Sequence, residues 1–124
     1  SRIWPELAGT VYPPAVKLVV APDVRVALTM NLQLPLGWKL TEGAPSAMRL
    51  RFGTTLSDTA IAQPTTRIEL PALPIGRHDL YIRLLYYVCE DDGACRVRSV
   101  DYTLRVEAKA GGAKQVALSD AFEP

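Results

Sequence analysis

Cysteine and histidine are scarce in this sequence, and no stretch of it stays apolar for long. Two cysteines are too few for a disulfide-rich scaffold, and with His78 as the one histidine a four-ligand zinc site would need carboxylates to complete it. No apolar run approaches the roughly 20 residues that cross a bilayer, and the N-terminus lacks the basic and then apolar layout of a signal peptide. The chain opens on Ser1 rather than methionine, which reads as a processed chain or a domain cut from a longer one and leaves the compartment open. An excess of one charge is missing too: a formal net charge of +1 gives no general pull toward nucleic acid or an anionic membrane. Helical spacing is absent, as are a Ser/His/Asp arrangement, a phosphate-cradling glycine loop and a paired-carboxylate motif.

What the sequence does contain is the alternation of strands. From Asp23 to Leu34, Val24, Val26, Leu28, Met30, Leu32 and Leu34 alternate with Arg25, Ala27, Thr29, Asn31 and Gln33, a half-buried strand. The same period of two returns in Met48, Leu50 and Phe52 against Arg49 and Arg51, and in Ile68 and Leu70 against Arg67 and Glu69. Val16 to Val20 reads as another strand, with Pro13, Pro14 and Pro22 on its flanks suiting an edge or a strand entrance. Ten prolines and eight glycines punctuate these runs, and turns this frequent between short strands argue for a sandwich over an α/β fold. With 124 residues, one core is expected. The expectation is an all-β, immunoglobulin-like antiparallel β-sandwich of about seven to eight strands over residues 1–107. Residues 108–124, with Gly111-Gly112 and little pattern, read as a tail to which Val116 and Leu118 add at most an edge contact.

The longest pair of runs is His78 to Val88 and Arg96 to Val106, joined by Cys89-Glu90-Asp91-Asp92-Gly93-Ala94-Cys95, whose Asp-Gly step is a turn signal. In the β-hairpin this predicts, Leu80, Ile82, Leu84, Tyr86 and Val88 share a core face with Val100, Tyr102, Leu104 and Val106. If the hairpin is symmetric about its loop, Tyr87 faces Val97, Leu85 faces Ser99 and Cys89 faces Cys95. Directly opposed strand residues have Cα atoms about 4.5–5.5 Å apart, within the range that a disulfide spans. By the same parity both cysteines point away from the core, within reach of a partner thiol. The bland alternative is a hairpin staple or two unreactive thiols, although five intervening residues close little chain entropy. Glu90, Asp91 and Asp92 disfavour a thiolate in that loop, while Arg96 and Arg98 favour one.

Other candidates are weaker. Arg49, Arg51, Arg83, Arg96, Arg98 and Arg105 alternate with core residues as a solvated sheet surface does, without the strong basicity of a nucleic-acid binder. Tyr81, Tyr86, Tyr87 and Tyr102 suit strands, Trp38 reads better as packing than as a contact residue, and His78 better as a strand-edge residue than as a base.

The segment from Tyr86 through the cysteines to Tyr102, together with Leu34-Pro35-Leu36-Gly37-Trp38-Lys39-Leu40-Thr41-Glu42-Gly43-Ala44-Pro45-Ser46, resembles the C-terminal domain of proteins that combine a thioredoxin-like domain with an NHL-repeat propeller, the plant suppressor-of-quenching proteins among them. The cysteine hairpin also resembles that of the N-terminal, immunoglobulin-like domain of the thiol-disulfide interchange protein DsbD, and the combined resemblance covers roughly Val24 to Glu107. It implies thiol-disulfide exchange through Cys89 and Cys95, with Cys95 as the attacking thiol and Cys89 as the resolving one. The partner it implies is a thioredoxin-like domain or protein, in the same polypeptide or another. No cofactor is implied. An extracytoplasmic location such as the periplasm follows if the chain is DsbD-like, with the cytoplasm open otherwise. The rival expectation is a non-catalytic interaction domain that packs on the propeller or a partner, with the cysteines bracing the hairpin.

Overall fold

A computed structural model describes residues 9–124, which form nine strands and no helix. They are β1 (Val16–Val20), β2 (Ala27–Gln33), β3 (Trp38–Leu40), β4 (Ala47–Phe52), β5 (Thr55–Ala60), β6 (Thr65–Glu69), β7 (Gly76–Glu90), β8 (Cys95–Ala108) and β9 (Gln115–Ala121). One sheet runs β1-β8-β7-β4-β5, with β3 continuing the β4 side of β7; the other runs β6-β2-β9. No described helix is long and apolar enough to cross a membrane.

Their inner faces share one core, giving a sandwich-like arrangement of two layers. The strand alternation puts Leu80, Ile82, Leu84, Tyr86 and Val88 of β7 and Val100, Tyr102, Leu104 and Val106 of β8 into that core, as the sequence predicts, and all are buried. Leu28, Met30 and Leu32 of β2 and Leu118 of β9 face them from the second sheet. Each large side chain so buried contributes about 1.5–3 kcal/mol of transfer free energy. Trp38 belongs to the same core, its ring centroid 5.0 Å from that of Phe122.

Four expectations need correction. The sheets are mixed rather than antiparallel, because β1 lies parallel to β8 and β9 parallel to β2, each pair joining strands far apart in sequence. Nine strands stand where seven to eight were expected; β3 is too short to show a period, and β5 is an almost wholly exposed polar edge strand with no alternation to read. The strand read from Asp23 begins only at Ala27, since Asp23 adopts a left-handed φ of 62° in a turn and its N–H donates to the Leu73 carbonyl at 2.8 Å.

The C-terminal stretch also departs from expectation. Instead of a weakly docked tail it carries β9, paired with β2 from Ala27↔Gln115 to Gln33↔Ala121. Its two glycines serve a tight turn. Gly111 has a φ of 83°, and a Cβ on Gly112 would lie 2.1 Å from the Val20 carbonyl oxygen, so no larger residue fits without moving backbone. The adjoining hydrogen bonds, Ala21 N–H to Ala113 carbonyl at 2.8 Å and Ala113 N–H to Val19 carbonyl at 3.1 Å, tie this turn to the end of β1.

Candidate functional site

β7 and β8 pair without a break from Gly76↔Ala108 to Cys89↔Cys95. The turn beyond is closed by the Gly93 N–H donating to the Glu90 carbonyl at 3.1 Å and the Glu90 N–H donating to the Ala94 carbonyl at 2.6 Å. Gly93, with a φ of 107°, supplies the backbone conformation that other residues rarely adopt. Glu90 and Ala94 thus form a hydrogen-bonded pair, which makes Cys89 and Cys95 the closely spaced, non-hydrogen-bonded pair next to it. Their Cα atoms are 4.0 Å apart and their sulfurs are bonded to each other. The symmetric register read from the sequence is therefore the register observed, including Tyr87↔Val97 and Leu85↔Ser99.

The two cysteines differ in surroundings. Cys95 opens β8 and is exposed, as is Val97 on the same face. Cys89 is partly buried, because its strand has a neighbour on each side: Cys95 across β8 and Lys39 across β3. β3 is held there by Trp38 in the core and by backbone bonds at both ends. The Asp91 N–H donates to the Gly37 carbonyl at 2.9 Å, and the Thr41 N–H to the Tyr87 carbonyl at 2.9 Å. Alternation then turns Lys39 and Thr41 to the outward face that carries Cys89. The Thr41 hydroxyl lies 3.0 Å from Cys89 Sγ, and since a disulfide sulfur has no hydrogen, Thr41 is the donor. Between β3 and β4 the edge of β7 is capped by a side chain, the Tyr87 N–H donating to Ser46 Oγ at 3.0 Å. Sequence reasoning missed Thr41 and Ser46; their roles exist only once β3 and β4 lie against the same strand.

The acids of the loop are engaged with one another and with a lysine. The Asp92 carboxylate, which accepts a hydrogen bond only from the protonated Glu90 carboxyl, holds Glu90 above its ordinary range, and Asp91 pairs with Lys39 at 3.7 Å on the open surface. The Arg96 guanidinium turns back to donate to the Cys95 carbonyl at 3.2 Å.

The remaining candidates lie elsewhere. Arg49 binds Asp58 at 2.7 Å and Arg83 binds Asp101 at 2.6 Å on the outer face of the larger sheet, and the Arg51 guanidinium covers the Tyr81 ring at 4.2 Å. The Arg49 hydrogen bond holds the Asp58 carboxyl below its usual range. His78 contacts the Pro74 carbonyl oxygen at 2.8 Å and meets Phe52 edge-on, remote in the hairpin from the cysteines.

Arg98 departs most from a solvated basic face. It points inward at the register of Tyr86 and grips the buried Asp120 of β9 through Nε at 2.9 Å and Nη2 at 3.0 Å. The Tyr86 and Tyr102 hydroxyls donate to the same carboxylate at 2.7 and 2.5 Å. Burial alone would raise the Asp120 carboxyl, but the bonds from Arg98, Tyr102 and Tyr86 and the Arg98 charge outweigh it and hold the group below the usual carboxylate range. Burial first, and then the Asp120 carboxylate, push both tyrosine hydroxyls well above their ordinary range. Every polar group here has a partner, so the cluster joins the two sheets and leaves no open valence for chemistry.

Compared with known proteins, the chain matches no family model and no curated protein.

Proposed function

We propose that this chain is an immunoglobulin-like sandwich domain that acts as a thiol-disulfide exchange module, passing reducing equivalents between its Cys89/Cys95 pair and a thioredoxin-like domain or protein. The observation that carries the reading is the position of the disulfide: directly opposed residues on the outward face of a hairpin end, one sulfur exposed and the other flanked by β3. A pair that joins neighbours already held in register can open and close without moving the strands behind it. The resemblance of the hairpin to the DsbD domain supports the same reading and assigns Cys95 as the sulfur joined to the partner.

The chemistry balances without a cofactor. A partner thiolate attacks Cys95 Sγ, a new S–S bond forms, and the Cys89–Cys95 bond breaks with its electron pair leaving on Cys89. The partner's second thiolate then attacks its own sulfur in the mixed disulfide, releasing Cys95 as thiolate. Two electrons pass from the partner dithiol to this pair, the two thiolates take up protons from solvent, and the reverse sequence runs by the same steps.

The test is the reduction potential of the pair, measured by equilibrating the domain in glutathione buffers and counting alkylated thiols by mass. A potential of roughly −120 to −270 mV, where exchange proteins lie, is the expected result. A value well below about −300 mV overturns the proposal and leaves a structural pair in a domain that binds a thioredoxin-like or NHL-propeller partner without chemistry.

A further inference from the structure

The disulfide has unlike polar neighbours at its two ends. At Cys89 a hydroxyl donor, Thr41 Oγ1, lies 3.0 Å from the sulfur. At Cys95 the neighbour is an acceptor, the Gly93 carbonyl oxygen, 3.6 Å from the sulfur. When the bond is attacked, negative charge develops on whichever sulfur leaves. A hydrogen bond to a neutral disulfide sulfur is weak, whereas one to a thiolate is charge-assisted, so a fixed donor favours the transition state in which its own sulfur departs. A carbonyl oxygen beside the other sulfur works against charge there.

We infer that Thr41 is a positioning residue that selects Cys89 as the leaving sulfur and thereby directs an incoming thiolate to Cys95. The inference rests on the exchange reading above and adds to it a residue that sets the polarity of the pair. The donor is well placed for this. The Thr41 N–H is bonded to the Tyr87 carbonyl, so the hydroxyl is presented from a backbone already tied to the strand that carries Cys89. The step itself is balanced: the partner sulfur–Cys95 bond forms, the Cys95–Cys89 bond breaks, and the electron pair rests on Cys89 Sγ under the Thr41 hydrogen bond until solvent protonates it. In the reverse direction the same hydrogen bond holds the Cys89 thiolate ready to attack the mixed disulfide at Cys95.

The experiment uses two readouts on Thr41→Val, which removes the hydroxyl at constant shape, with Thr41→Ser as the variant that keeps it. First, in a Cys95→Ser background, the pH dependence of Cys89 alkylation gives the thiol pKa without any partner. Thr41→Val is expected to raise it by about one unit, roughly tenfold less thiolate at a given pH, and Thr41→Ser to leave it near its starting value. Second, in the chain with both cysteines, the rate of disulfide reduction by excess glutathione is expected to fall about 3- to 10-fold in Thr41→Val and to recover in Thr41→Ser. An unchanged Cys89 pKa in Thr41→Val overturns the inference, as does a rate loss shared equally by Thr41→Ser. If Thr41→Val does not fold, Thr41→Ala repeats both measurements with the same expectations. The two readings fail separately. An exchange-range potential with an unmoved Cys89 titration removes only the role of Thr41, while a shifted titration with a potential too reducing for exchange removes only the exchange function.

Discussion

The β7–β8 hairpin carries two cross-links of opposite character. At Tyr86, Arg98 and Tyr102 its inner face meets Asp120 in a buried polar cluster that binds one sheet to the other. A few residues further along, Cys89 and Cys95 join the same two strands on the outer face by a covalent bond. The weaker kind of bond does the longer-range work: Asp120 connects elements that no hairpin register would align, and its loss would strand the Arg98 guanidinium and the Tyr86 hydroxyl. The stronger kind joins residues that the strand pairing already holds together. The exchange proposed for that bond requires that its rupture leave the fold intact.

The largest effect that breaks this comparison is expected at Asp120. Replacing it by alanine leaves Arg98, with only 19% of its side chain exposed, without its counter-ion, removes the acceptor of the Tyr86 hydroxyl, and leaves the Tyr102 hydroxyl only the Ser119 carbonyl oxygen at 3.5 Å. Loss of one member of a buried ion pair costs about 3–5 kcal/mol, and denaturant unfolding of Asp120→Ala should show a loss of that size. A loss below about 1 kcal/mol, the value of an exposed pair, would mean that the cluster is not what joins the sheets.

Acid should expose the same cluster more gently. The Asp120 carboxyl is held below its ordinary value in the folded chain, so its contribution is complete above the unfolded value of about 3.9. It then falls as pH drops through that value and is gone below the folded one. Asp58, held down by Arg49, has the same sign, so the two are separated by subtraction. The stability difference between the native chain and Asp120→Asn should be constant from pH 7 to 5 and shrink steadily below pH 4. A difference that stays constant into strong acid would contradict the assignment.

The two cross-links were not equally legible in the sequence. Alternation in residues 80–88 and 100–106, together with the Asp-Gly step, was enough to place the hairpin core, to pair Cys89 with Cys95 and to turn both outward, because strand parity is a local property. Asp120 was hidden by the same rule, since a carboxylate at an inward position of a short strand makes β9 look polar and loose, and Gly111-Gly112 ahead of it looks like a linker. Only the tertiary structure shows that Gly112 packs on the Val20 carbonyl and that Asp120 has three partners waiting. Thr41 was unreadable for a related reason: its contact with Cys89 spans 48 positions and depends on a strand of three residues. Residues whose value comes from pairing across the fold leave no period of their own.

The smallest effect on stability is expected where the covalent bond is. Five residues intervene between Cys89 and Cys95, and loop-closure entropy for so short a ring sets an upper bound of about 2 kcal/mol on what the disulfide adds. The bound is not reached if the unfolded hairpin already favours its turn, which the Asp92-Gly93 step and the bonds of Glu90 to Ala94 and Gly93 encourage. Replacing both cysteines by serine should therefore lower unfolding stability by less than Asp120→Ala does, leave the cooperative transition in place, and abolish exchange with a dithiol partner. If the double variant instead unfolds as readily as Asp120→Ala, the disulfide is a brace. The hairpin end would then depend on its covalent closure, and a reversible opening at Cys95 would carry a cost in folding that an exchange module cannot sustain at every turnover.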